Sequence, residues 1–139
     1  MMRRVPAVLV AVSATILAAC SHHPQTVLGA FETLGSTCSP VTQKGVASSF
    51  ECSWHGDKVL VETLTPDQWT AYRSRLRTLC RAGGFIPNPM LTDGRSLHIT
   101  VGSDPPTSIG SLARSLKDAG LDLQEVTDCA LANGDLSGS

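Results

Sequence analysis

Two neighbouring stretches of the chain alternate apolar and polar residues with a period of two. Phe50, Cys52 and Trp54 alternate with Glu51, Ser53 and His55; Val59, Val61 and Thr63 alternate with Lys58, Leu60 and Glu62. That period predicts half-buried strands. Gly56-Asp57 between them suits a two-residue type II′ turn, so residues 47–64 form a hairpin. Pairing outward from this turn sets Trp54 opposite Val59, Cys52 opposite Val61 and Phe50 opposite Thr63 on the buried face. On the other face it sets Glu51 opposite Glu62. A one-residue slip exchanges the two faces, so the separation of apolar from polar residues specifies the pairing.

Helical spacing takes over on either side. Val27, Leu28, Phe31 and Leu34 predict a short helix over 26–34, stopped by Gly35, and Cys38-Ser39-Pro40 opens a loop reaching Gly45. After the hairpin, Thr65, Pro66 and Gln68 carry a capping box with proline at the first helical position. Trp69, Tyr72, Leu76, Leu79 and Cys80 then form one apolar stripe, ended by Gly83-Gly84. Phe85 to Leu91 is extended but holds Pro87 and Pro89, which predicts an edge strand or an irregular extended loop. Asp93-Gly94 turns the chain into an alternating strand over 95–101. Asp104 can cap a helix entered through Pro105-Pro106, with Ile109, Leu112, Ala113 and Leu116 buried and Gly120 at its end. Residues 121–127 are the last predicted strand.

From residue 58 onward the order is β-α-β-β-α-β, the ferredoxin-like split pattern. The expected fold class is α+β: an antiparallel sheet with two helices packed on one face, carrying an added N-terminal strand. Strand 47–54 and the last strand compete for the place beside strand 58–64, and one of them must move outward.

The first twenty residues follow a different logic. Arg3 and Arg4 precede an apolar run from Val5 to Ile16, too short to span a bilayer, and Leu17-Ala18-Ala19-Cys20 closes it. This resembles the lipobox of bacterial lipoproteins. The resemblance implies export, cleavage before Cys20, acylation of its thiol (diacylglycerol, palmitate) and anchorage to the extracytoplasmic side of a cell membrane or outer membrane. The expected organisation is a signal peptide over 1–19, a tether over 20–25 that includes His22 and His23, one domain over 26–131 and a polar tail over 132–139. Loss of Arg3 and Arg4 leaves 9 basic against 12 acidic residues in the mature chain, which gives no reason to expect nucleic acid.

With Cys20 assigned to lipid, Cys38, Cys52, Cys80 and Cys129 remain. Their even number, without any C-x-x-C, predicts two disulfides in an oxidising compartment, and four cysteines permit three pairings. The run from Phe31 through Cys38, with Phe50-Glu51-Cys52, Gly56-Asp57 and Val59-Leu60-Val61, resembles small actinobacterial lipoproteins of uncharacterised function. That resemblance implies Cys38–Cys52, and with it Cys80–Cys129. Cys52–Cys80 with Cys38–Cys129 stays open, since Cys52 and Cys80 both face the core.

No nucleophile elbow, zincin motif or phosphate-binding loop is present. The one constellation with chemical interest is on the face of the sheet expected to be open, where Glu51, Glu62 and His98, with Thr100 beside them, can attract a divalent cation or shift a carboxylate pKa. The expectation is nonetheless of solvated side chains, with no metal, no cofactor and no catalytic residue. Arg73, Arg77 and Arg81 recur every fourth residue on the central helix, a strip suited either to anionic headgroups or to covering the core edge. The expected function is a non-catalytic envelope module that binds or scaffolds another envelope component. The alternatives are a metal-assisted hydrolase using Glu51, Glu62 and His98, or a small inhibitory or exclusion lipoprotein.

Overall fold

A computed structural model describes residues 24–83, 88–102 and 109–134. The Leu17–Cys20 box, the His22-His23 pair, Gly84 to Pro87 and Asp104 to Pro106 lie outside them. The elements in chain order are α1 (Pro24–Thr33), β1 (Cys38–Pro40), β2 (Ser48–Trp54), β3 (Asp57–Thr63), α2 (Pro66–Ala82), β4 (Pro89–Thr92), β5 (Leu97–Val101), α3 (Ile109–Asp118), β6 (Gln124–Thr127) and α4 (Asp128–Asn133). The fold is α+β, with one six-stranded antiparallel sheet in the order β1-β2-β3-β5-β4-β6.

The element order from β3 onward is the expected β-α-β-β-α-β, but two features of the expected arrangement are corrected. The strand that moved outward is the last one: β6 pairs with β4, while β2 keeps its place beside β3. Second, the helices do not share a face. Val27 and Phe31 of α1 and Ile109, Leu112 and Leu116 of α3 pack with Val59, Val61, Leu97 and Ile99. Trp69 and Leu76 of α2 and Leu131 and Ala132 of α4 pack with Met90 and Val126, whose side chains point the other way. The molecule is therefore three layers deep, not two.

The second correction follows from the first. The β3-α2-β4 and β5-α3-β6 units each step over one intervening strand in the same lateral direction, yet β3 and β5 run antiparallel. A right-handed crossover in each unit then places α2 and α3 on opposite faces. Had β6 returned beside β3, the second step would reverse and both helices would share a face.

The hairpin keeps its faces but shifts its register by two residues. Trp54 pairs with Asp57, Cys52 with Val59, Phe50 with Val61 and Glu51 with Leu60. The two loop residues are His55 and Gly56, at φ 46° and 83°, so the turn is of the I′ class and not the expected Gly56-Asp57 type II′. A shift of two preserves the alternation, which is why burial alone did not specify it.

Other differences are local. Residues 38–40 pair with β2 as a short edge strand where a loop was expected. β4 lies inside the sheet, and Pro89 is tolerated as its first residue, beyond the reach of the β4–β5 ladder, which holds only Leu91–Ile99 and Thr92–His98. Leu79, expected in the buried stripe of α2, is 42% exposed. The chain folds past residue 131: Thr127 caps α4, Ala132 is buried, and Gly134 closes the helix in a left-handed conformation.

Candidate functional site

The site is built at the level where a polar row crosses the sheet. The ladders align Ser49, Glu62, His98, Thr92 and Gln124 on five successive strands. All five share the face that carries α2, by the two-residue period of each strand. This region is not the open face expected of it: α2 lies across it and His98 is only 9% exposed.

Such a row needs partners, because a polar group buried without one costs about 1–3 kcal/mol. Ser49 donates its hydroxyl to the Val41 carbonyl at 2.6 Å. Thr92 accepts from the Gly94 amide at 2.9 Å. His98 is held on both sides: Nδ1 is 3.1 Å from Glu62 Oε1, and Nε2 is 3.1 Å from the Tyr72 hydroxyl. Gln124 Oε1 is buried without a partner among the described residues.

The chemistry of the chain Glu62–His98–Tyr72 follows from its donors. A carboxylate only accepts, so His98 carries a proton on Nδ1 and donates it to Glu62. Nε2 of the neutral ring then accepts the Tyr72 proton. Burial pushes the Tyr72 hydroxyl far above the ordinary phenol range, and the nearby charges of Asp128 and Glu62 push it further, against the smaller opposing effect of Arg75. Tyr72 is therefore a firm proton holder and a poor nucleophile at neutral pH. The Arg75 guanidinium lies 5.8 Å from the centre of the Tyr72 ring.

Asp128 borders the same cluster at the start of α4. Its carboxyl is raised by burial, against the lowering effects of an Asn88 amide and of His98. Beside the cluster opens a cleft of about 230 Å³. Glu62, Tyr72 and His98 form its polar floor; Lys44, Val46, Leu64, Gln68 and Arg75 are among its walls.

The three residues of the hydrolase alternative are not brought together. Glu51 lies opposite Leu60, one step along from the polar row, and its carboxylate is 3.4 Å from Lys58 Nζ in an exposed pair. Glu62 and His98 are brought together, and Thr100 sits across from Leu60. Among the described residues no three His, Cys, Asp or Glu side chains converge as a metal-binding group. Sequence reasoning missed Tyr72, assigned only to an apolar stripe, and Asp128. The available signal for Tyr72 was its hydroxyl, which needs a partner when the ring is buried.

The arginine strip of α2 has a structural use. Arg73 Nε donates to the Leu131 carbonyl at 3.2 Å and Arg77 Nε to the Ala132 carbonyl at 3.1 Å. Both carbonyls belong to the C-terminal turn of α4, where cations are favourable. A disulfide from Cys80 to Cys129, with Cα atoms 5.8 Å apart, fastens the same two helices. The other bridge joins Cys38 to Cys52, directly paired residues of β1 and β2 whose Cα atoms are 4.0 Å apart.

No described helix is long and apolar enough to cross a membrane. Compared with protein-family models, with curated proteins and with solved structures, the chain shows no significant match.

Proposed function

We propose that this chain is an exported lipoprotein, acylated at Cys20, whose domain serves on the extracytoplasmic side of the envelope as a binding or scaffolding module. The observation that carries the reading is the cysteine pairing. All four cysteines downstream of the lipobox are joined within the domain, as suits the oxidising compartment to which such a signal directs a chain. The four residue steps from Cys20 to Pro24, where α1 begins, span at most about 14 Å, so the domain rides close to the bilayer surface.

A binding role is favoured over catalysis by the content of the cleft. Its floor holds a tyrosine that resists ionisation, and Glu51 stands apart from Glu62 and His98, so the hydrolase alternative loses one of its three residues. A partner protein in the envelope and an inhibitory role both remain compatible with a small, doubly stapled module. The test is fractionation of cells carrying the native chain or Cys20→Ser. The native protein should partition with membranes and Cys20→Ser should not; equal distribution of the two would refute the anchor.

A further inference from the structure

We infer that the cleft beside α2 is a binding site for a small organic carboxylate, held by Arg75 and Lys44 of its lining. The inference rests on reading the domain as a binding module, and it names the class of ligand.

Charge selects an anion. Lys44, from the loop before β2, and Arg75, from α2, line one cleft, and among the described residues neither makes an ion pair. The only carboxylate in the lining, Glu62, is already bonded to His98. An entering cation meets two like charges against the single carboxylate of Glu62. An entering carboxylate meets two cationic donors without an ion pair among the described residues, one of them a planar fork that matches carboxylate geometry.

Size and walls select an organic body. The cleft of about 230 Å³ exceeds the roughly 150 Å³ that holds a benzene ring, leaving space for a ring or branched chain plus its carboxylate. Val46 and Leu64 supply apolar surface for that body, which a bare phosphate cannot use.

The bond of 3.1 Å between the Tyr72 hydroxyl and His98 Nε2 fixes the polar side of the lining, on which the two cations and the apolar residues converge.

The experiment is calorimetric titration of the purified full-length protein with benzoate, cyclohexanecarboxylate, benzamide and inorganic phosphate at neutral pH. At least one carboxylate should bind, with benzamide and phosphate weaker by about tenfold or more. Arg75→Gln and Lys44→Gln, both changes of surface side chains, should each weaken binding by about threefold to fivefold. Absence of carboxylate binding, equal binding of acid and amide, a preference for phosphate, or unchanged affinity in the Arg75/Lys44 double variant would overturn the inference. Such a result leaves the anchor at Cys20 untouched, because membrane partition is measured separately.

Discussion

The hydroxyl of Tyr72 lies 3.1 Å from Nε2 of His98, and this one bond ties the second turn of α2 to the middle of the sheet. It also completes a chain whose other end is Glu62, on the neighbouring strand. Removal of either end leaves a buried ring nitrogen without its partner.

Tyr72→Phe should therefore destabilise the fold by about 1–3 kcal/mol, the usual cost of an unpaired buried polar group. Glu62→Gln should cost about 0.5–1.5 kcal/mol, since an amide oxygen still accepts from Nδ1. Glu51→Gln should change stability by less than about 0.5 kcal/mol, because its pair with Lys58 is exposed. Chemical denaturation of the three variants measures this. An equal effect of the two glutamates would contradict the buried bond between Glu62 and His98.

That register shows where sequence reasoning works and where it stops. Alternation placed Phe50, Cys52, Val59 and Val61 on one face, and they are there. Burial cannot distinguish pairings two residues apart, and the choice fell to the turn. His55 takes a positive φ there, a conformation a sequence reading assigns first to glycine. The helix over 66–82 was legible because Thr65, Pro66 and Gln68 are local signals. The sheet order was not legible, because it depends on which way the last crossover steps. The site is the least legible part: alternation puts Glu62 and His98 on one face, but nothing local shows that α2 covers that face and brings Tyr72 onto it. The six residues of α4 are too few to show a periodic pattern.

The two disulfides should contribute unequally. In the chain-entropy model a separation of 14 residues corresponds to about 3 kcal/mol and one of 49 residues to about 4 kcal/mol. Cys80→Ser with Cys129→Ser should lower the unfolding midpoint more than Cys38→Ser with Cys52→Ser, and should raise amide exchange in α4, which Arg73, Arg77 and the packing of Leu131 and Ala132 then hold. Peptide mapping without reduction checks the pairing itself: a Cys52–Cys80 peptide would refute it.

Two aspartates should give opposite pH signatures. Burial of Asp93 opposes its ionisation, but the Ser96, Arg95 and Leu97 amides and the Ser96 hydroxyl outweigh it and hold the carboxyl below its usual value. A lowered acid stabilises above its unfolded pKa, and the benefit is lost as pH falls through the folded value. Asp93→Ala should thus be less stable than native at neutral pH, with the electrostatic part of the gap closing in acid. Asp128 is raised, so its charge costs stability once pH exceeds its unfolded pKa. Asp128→Asn should be the more stable form at neutral pH and should lose that advantage in acid. Thermal midpoints of both variants against pH test the signs; parallel curves would contradict them.

The central claim, that a lipid holds this stapled domain at the membrane, is tested most directly by the mass of the mature N-terminal peptide. Each buried methylene of an acyl chain is worth about 0.8 kcal/mol, so two or three chains anchor firmly. The account predicts a peptide that begins at Cys20 and carries the mass of a diacylglyceryl group on its thiol. A peptide beginning at Met1, or an unmodified Cys20, would contradict it.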